Sequence, residues 1–407
     1  MNSTDRPYEL VILGATGFTG RLVAEYLLGK YGNGDSLRWA MAGRNPEKLE
    51  RVRAELGNTD IPLEVADSLD ADSLDALTQK TKVLCTTVGP YATYGSEVVA
   101  SCVRSGTHYC DLTGEVPWIR RMIDAHHEEA FAKKLKIVHC CGFDSIPSDM
   151  GVYWLQQQAM EHHQTYCRQI KTGVKAFKGG MSGGTIASLT NVLAEAEADR
   201  SIYGILFNPY SLNPEGEQEG NDQPDLRKVT YDEDFDAWTC PFVMAAINTK
   251  IVRRGHALRG HPYGKDFRYA EVSLTGQGLM GRIKAYLTSL PLGILMSAKP
   301  GSLAKRMVDW VAPKPGQGPS KRTRETGFWV YDQVGILPDG TRLKSRIKGD
   351  RDPGYGSTSK MLAEAAVCLG KDDLPDTFGS LTPASAMGDV LLERIQVNAG
   401  VTFRFEV

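Results

Sequence analysis

The chain has 407 residues, 42% of them hydrophobic and 24% charged, which excludes disorder as the dominant state and is long enough for two or more cores. Forty-seven Lys and Arg residues against 49 acidic ones give a net charge of -2, so no basic field exists to hold a polyanion and nucleic-acid binding is excluded. The eight cysteines form no Cys-x-x-Cys pair and are too scattered for a disulfide scaffold, the pattern of a reducing compartment. With no basic-then-apolar leader behind Met1 and no apolar run of about 18 residues, the expected location is the cytoplasm.

The first 150 residues alternate short apolar runs with longer amphipathic stretches. LVILG (10–14), LRWAMAG (37–43), IPLEVA (61–66), KVLCTTV (82–88), THYCDL (107–112) and KIVHCC (136–141) read as strands. Helix patterns over 19–30, 45–56, 68–78, 96–106 and 117–134 separate them. Continuous apolar strands joined by crossover helices predict a parallel sheet covered on both faces, in the order 3-2-1-4-5-6. The expected fold class is therefore α/β, a Rossmann-type doubly wound parallel sheet over residues 1–150.

After Pro147 the pattern changes, which predicts a second, α+β domain over 151–350, set into the chain ahead of the tail. It opens on a helix over 149–160 and a strand over 168–177, followed by a glycine turn (179–184) and a helix over 185–199. The stretch 210–238 holds nine acidic residues and reads as a surface loop or flap. A helix over 242–258 and a strand over 267–276 follow. The apolar segment Leu287 to Ala298 is too short to span a bilayer but long enough to lie in an interface. A Pro/Gly loop (313–322) then leads to a hairpin over 328–350 whose turn is Asp339-Gly340. The tail, 351–407, holds helices over 358–370 and 385–396 and a last strand, and is expected to return to the first domain.

Gly14-Ala15-Thr16-Gly17-Phe18-Thr19-Gly20 stands directly after the first strand and opens a helix. Gly14 permits the tight turn, Gly17 lets the backbone approach a pyrophosphate, Gly20 allows close helix packing, and the helix N-terminus offers N–H groups to phosphate. Where an NAD site keeps a carboxylate for the ribose hydroxyl, the second strand ends in Ala42-Gly43-Arg44, with Lys48 one turn on. A guanidinium there pairs with a 2′-phosphate, so the expected cofactor is NADP. Asp67 ends the third strand and either bonds the adenine amino group or caps a helix.

Thr87, Gly89 and Pro90 end the fourth strand across the switch point from the first, where the nicotinamide half of the cofactor belongs. Tyr91 and Tyr94 are the nearest phenols. Tyr91 is the candidate proton donor, with a packed turn residue as the alternative. After the sixth strand, Asp144 or Ser145 could orient a polar substrate group, while Ser148 or Asp149 would cap the following helix. The adjacent pairs His126-His127 and His162-His163 point about 100° apart on a helix and cannot easily share an ion, so no metal is expected. His139-Cys140-Cys141 reads as buried, inert core.

Taken together, GATGFTG (14–20), AGRNPEKL (42–49), VGPYATYG (88–95), GTHYCDLTGE (106–115), GFDSIPSDMG (142–151) and GDRDPGYGST (349–358) resemble the saccharopine dehydrogenase-like oxidoreductases, which include the trans-acting enoyl reductases of bacterial lipid assembly. The resemblance implies an NADP-binding Rossmann domain, an inserted substrate domain and a small-molecule substrate. Ile146-Pro147 and the apolar 287–298 segment fit an acyl or lipid-like molecule better than one with several carboxylates. Peripheral contact with a membrane or lipid surface and a homodimer are further associations it allows. Two alternatives stand beside an enoyl reductase: a non-catalytic scaffold at a lipid surface, and a saccharopine or amino-acid dehydrogenase.

Overall fold

The computed structural model describes residues 6–57, 60–180, 183–296, 302 and 318–406. The chain divides into two units: residues 1–146 with 316–318 and 354–400, and residues 147–315 with 319–353 and 401–407.

In the first unit the chain runs β1 (Tyr8–Leu13), α1 (Phe18–Tyr31), β2 (Trp39–Gly43), α2 (Pro46–Glu55), β3 (Leu63–Val65), α3 (Ala71–Thr78), β4 (Thr81–Thr86), α4 (Tyr91–Tyr94), α5 (Ser96–Ser105), β5 (His108–Cys110), α6 (Val116–Ala132) and β6 (Lys136–Val138). The second unit takes α7 (Ile146–His163), β7 (Gln169–Lys178), α8 (Gly183–Ala198), α9 (Ile202–Phe207), β8 (Thr230–Asp232), β9 (Ala237–Cys240), α10 (Ala245–Leu258), β10 (Arg268–Gly276), α11 (Gly278–Met296), α12 (Lys321–Thr326), β11 (Phe328–Ile336) and β12 (Arg342–Gly349). The tail adds α13 (Thr358–Lys371), β13 (Gly379–Leu381) and α14 (Pro383–Val397) to the first unit and β14 (Val401–Glu406) to the second.

The first unit is a seven-stranded sheet in the order β13-β6-β5-β4-β1-β2-β3, parallel at every pairing. Its central strands are apolar runs: Leu10 to Leu13 and Val83 to Cys85 are at most 1% exposed, as burial on both faces requires. The expected strand order holds, with one strand added: β13 pairs with β6 through Gly379↔Lys136 to Leu381↔Val138. α13, buried along most of its length, packs against α1, α14 and β1. Its buried Glu364 accepts from the phenols of Tyr26 and Tyr31 (2.7 and 2.6 Å), Arg394 Nη1 (3.0 Å) and Asn398 Nδ2 (3.1 Å), which ties α1 to α14. The tail therefore does not return as one piece, because β14 pairs antiparallel with β12 in the second unit.

The second unit is a mixed seven-stranded sheet, β14-β12-β11-β7-β10-β9-β8, in which β7 and β10 run parallel. Val152, Leu155 and Ala159 of α7 and Val252 of α10 share a core with Ile170 and Tyr269 of the sheet. The expected hairpin is β11–β12, with Gly340 at φ +90° in its turn.

The acidic stretch is the expected surface loop, without helix or strand over 211–229 and mostly exposed or half-buried, but it is no open flap: Leu212 is fully buried, and Asp222 pairs with Arg253 of α10 at 2.5 Å, because α10 buries cations that need acidic partners. Ser148 and Asp149 are not helix caps either, since α7 already starts at Ile146 with Pro147 in its first turn, where the missing N–H costs nothing. Parts of the 179–184 turn, the apolar segment beyond Met296 and half of the 313–322 loop lie outside the described residues.

Candidate functional site

The loops at the carboxyl edge of the first sheet, where a doubly wound fold binds its ligand, assemble the site. Between β1 and α1, Gly14 has φ +89°, and a Cβ there would stand 2.7 Å from Val88 Cγ2 and 2.9 Å from Thr87 Oγ1. A Cβ on Gly20 would meet the Gly14 carbonyl at 2.2 Å, so α1 can start this close to β1 only with glycine there. The N–H groups of Gly14 and Ala15 bond the Ala42 carbonyl (2.9 and 3.2 Å) and fasten the turn to β2. Gly17 is the N-cap of α1 without a side-chain cap, and the first turn holds no acidic residue. Such an end attracts an anion.

At the end of β2, Asn45 accepts the Lys48 N–H at 2.7 Å and caps α2, while Arg44 and Lys48 project into solvent. Thr16 lies beside Gly43, 3.8 Å from where its Cβ would be. An uncapped helix end with exposed cations at the end of β2 fits a dinucleotide carrying a 2′-phosphate. Asp67 Oδ1 accepts the Leu69 N–H (3.0 Å), whereas the cap of α3 is Asp70. Of the two roles weighed for Asp67, the helix cap thus belongs to its neighbour.

The loop after β4 is bonded at both ends. Thr87 N–H donates to the Leu13 carbonyl at 3.0 Å, and its hydroxyl lies 3.4 and 3.3 Å from the carbonyls of Leu13 and Gly14. Gly89 is exposed and Pro90 half-buried. The buried carboxylate of Glu115 accepts from Tyr91 N–H (2.9 Å) and Ala92 N–H (2.8 Å). Tyr91 itself is 4% exposed. Its hydroxyl donates to the Thr86 carbonyl (3.1 Å) and accepts from Leu112 N–H (3.4 Å), and its ring packs on Trp118 with centroids 5.4 Å apart. Burial pushes the phenol well above its ordinary range. Tyr91 is a strut beneath the loop, with its hydroxyl engaged in both directions.

Asp111 and His139, the first residues after β5 and β6, form a pair; the sequence reading placed His139 in inert core and gave Asp111 no role. Asp111 is fully buried and accepts from His139 Nδ1 (2.7 Å), the Tyr109 hydroxyl (2.9 Å), Thr113 N–H (3.1 Å) and Cys140 N–H (3.0 Å). Four hydrogen bonds offset the burial of one charge. They also hold Cys140 at φ +62° and so aim the loop that follows. All eight cysteines are free and buried.

That loop carries Asp144. Phe143 N–H donates to Thr358 Oγ1 at 3.0 Å. A Cβ on Gly142 would lie 3.0 Å from both Asp144 Oδ2 and Thr358 Cγ2, so glycine makes room for the carboxyl group. Burial, and secondarily the charge of Asp111, pushes the Asp144 carboxyl up to about 7. Ser145 is fully buried. Close by in sequence to Thr358, Tyr355 sets its ring edge-on to Phe18, 4.8 Å between centroids, and Gly318 covers the same ring so closely that a Cβ would stand 2.5 Å from it. The segment 354–358 thus touches the dinucleotide loop through Tyr355 and the Asp144 loop through Thr358. The sequence reading gave neither residue a role.

Elsewhere, His127 Nδ1 accepts the Ser380 N–H (3.1 Å) and His162 stacks on Phe405. A cavity of about 680 Å³ in the second unit is lined by Lys175, Asp332, Arg346 and Leu287 among others, and none of its lining residues belongs to the first unit. No helix among the described residues is long and apolar enough to cross a membrane.

Residues 10–166 match the saccharopine dehydrogenase NADP binding domain. The full chain is 41% identical over 431 aligned positions, covering 99% of both chains, to a "putative trans-acting enoyl reductase" of Mycobacterium tuberculosis. It is 37% identical over 415 positions, covering 98% of both, to the trans-acting enoyl reductase of Mycobacterium bovis. Among solved structures, the apo saccharopine dehydrogenase (L-Glu forming) of Saccharomyces cerevisiae shares the fold, with a TM-score of 0.53 at 12% identity over 98% of this chain and 99% of that one. The protein is an NAD(P)-dependent oxidoreductase with an NADP-binding Rossmann domain. It belongs to the family of the trans-acting enoyl reductases.

Proposed function

We propose that the protein reduces the carbon–carbon double bond of an α,β-unsaturated acyl substrate, with Asp144 as the proton source. The observation that carries this reading is a carboxyl group pushed up to about 7 at the carboxyl edge of the sheet, on a loop joined through Thr358 to the segment that packs on Phe18. The names of the two mycobacterial relatives support the substrate class.

The turn Gly14 to Gly20 and the start of α1 would hold the pyrophosphate, Arg44 the 2′-phosphate and Asp67 the adenine edge, with Thr16, Thr19, Thr87, Gly89 and Pro90 along the remaining length. Bound NADPH supplies the hydride. Asp144, whose burial raises its hold on the proton, delivers that proton to the α-carbon of the reduced acyl group and regains it from water. Asp111 and His139 fix the backbone that aims Asp144, and Asp111 helps to keep that proton on. Tyr91, with its hydroxyl engaged beneath the loop, acts by holding Gly89-Pro90 in place.

The test is to mix the purified protein with NADPH and a panel of acyl thioesters and follow loss of the reduced nicotinamide absorbance. Turnover that needs the α,β double bond is the expected result. Oxidation of saccharopine with NADP+, read as a rise in the same absorbance, would instead reassign the substrate, and absence of turnover in either direction with every acyl and amino-acid substrate would make the chain a non-catalytic binder of NADP.

A further inference from the structure

A surface helix of a water-soluble unit normally turns its bulky apolar residues inward. In the second unit α11 does the reverse. It meets β9 and β10 through Gly281 and Ala285, both buried. A Cβ on Gly281 would stand 2.1 Å from the Gly276 carbonyl, and the Thr275 hydroxyl donates to the Gly281 carbonyl at 2.9 Å. Leu279, Met280, Ile283, Tyr286, Leu287 and Leu290 are 45% to 73% exposed. Their spacing of i, i+1, i+4, i+7, i+8 and i+11 places them on one stripe of the helix.

Charge says what covers that stripe. α11 itself carries Arg282 and Lys284 and no carboxylate. A second copy packed on the same face would oppose these cations with their own counterparts and offer no acid on the helix to relieve them. An anionic lipid surface meets both features, since it takes the apolar stripe between its headgroups and draws in Arg282 and Lys284.

We propose that α11 is an interfacial helix that docks the protein on the surface of an anionic lipid bilayer, with its apolar stripe in the headgroup–acyl boundary and Lys284 at headgroup level. The docking is independent of the reductase reading and stands or falls on its own measurement.

The experiment is vesicle co-sedimentation of the full-length protein, comparing phosphatidylcholine alone with phosphatidylcholine containing phosphatidylglycerol. Binding at least about tenfold stronger to the anionic vesicles, weakened by salt, is expected. The double substitution Met280→Ser, Ile283→Ser removes exposed side chains only, so circular dichroism and melting should match the parent. It should weaken vesicle binding by about tenfold or more, and Lys284→Glu should weaken it several-fold. Reduction of a short, water-soluble acyl thioester should be unchanged in both variants. No preference for anionic vesicles, or binding unaffected by the double substitution, would overturn the proposal. So would a solution dimer that the double substitution converts to monomer, since the stripe would then belong to a second copy.

Discussion

The two halves of the carboxyl edge of the first sheet are built by different means. The nucleotide half, after β1, β2 and β3, is made of short contiguous segments: a glycine turn whose geometry is fixed by the Gly14 and Gly20 contacts, an uncapped helix end and an exposed Arg44. The reacting half, after β4, β5 and β6, is braced by buried groups and assembled at long range. Glu115 holds the β4 loop, Asp111 holds the β6 loop, and Thr358, 215 residues away in sequence, bonds Phe143. An exposed half can take or lose a ligand by electrostatics alone, whereas a half braced by buried groups can shift a proton affinity, because only burial makes a carboxylate costly.

The sharpest way to break this comparison is at Asp144. Asp144→Asn should lower kcat by about 10²–10⁴-fold and leave NADPH affinity unchanged. In the parent enzyme the acid must be protonated, so activity should fall about tenfold per unit as pH rises beyond about 7. The sign for stability follows from the same group. Its folded value lies above the unfolded one of about 3.9, so the folded state binds the proton more tightly and stability declines as pH rises from about 4 towards 7. At pH 8 the Asn variant should therefore melt higher than the parent, by about 1–2 kcal/mol. A variant that keeps its rate would remove Asp144 from the chemistry.

Asp111 tests the long-range part of the same half. Asp111→Asn leaves the Cys140 and Thr113 N–H groups, the Tyr109 hydroxyl and His139 with a weaker acceptor, at a cost of about 2–4 kcal/mol in denaturant unfolding. With less negative charge near it, Asp144 should lose its proton more easily, and the alkaline limit of activity should move to lower pH. A limit that stays put would show that burial alone sets the Asp144 carboxyl.

On the nucleotide side, Arg44→Asp should weaken NADPH binding by about 2–4 kcal/mol, since a charge-assisted pair with the 2′-phosphate becomes a repulsion. NADH binding, followed by the same titration, should change far less. Tighter binding of NADH than of NADPH by the parent protein would place the 2′-phosphate contact elsewhere or remove it.

The same contrast explains what the sequence showed. Six strands and their order were legible because fully buried parallel strands are unbroken apolar runs, and the dinucleotide turn was legible because each glycine answers a local steric demand. β13 was not, since Gly379-Ser380-Leu381 is too short to show a period and pairs with a strand more than 240 residues earlier. The Asp111–His139 pair stood in apolar context at the ends of two strands, and nothing in either run signals the other. Tyr355 and Thr358 were quoted in a motif but left without a role, because their partners Phe18 and Phe143 are set by the return of the tail to the first unit. The start of α7 was misplaced by three residues, with Pro147 read as a boundary when it occupies the first turn.

The smallest expected effect concerns Tyr91, where position in the sequence suggested an acid and packing indicates a strut. The phenol sits after a Gly-Pro turn at the switch point, the place where a proton donor would be sought. Its hydroxyl nevertheless donates to the Thr86 carbonyl inside a pocket that leaves Tyr91 4% exposed, and a proton leaving it would strand a phenolate beside the buried Asp111, whose charge already raises it. Tyr91→Phe keeps the ring against Trp118 and removes one donor from Thr86 and one acceptor from Leu112, so stability should fall by about 1–2 kcal/mol. Rate per folded molecule should stay within about threefold of the parent, because the loop retains its Glu115 bonds and Asp144 retains its proton. Denaturant melts and single-turnover rates measured on the same preparation separate the two effects. A fall in kcat of about 10²-fold or more with stability intact would return the proton to Tyr91 and leave Asp144 to orient the substrate.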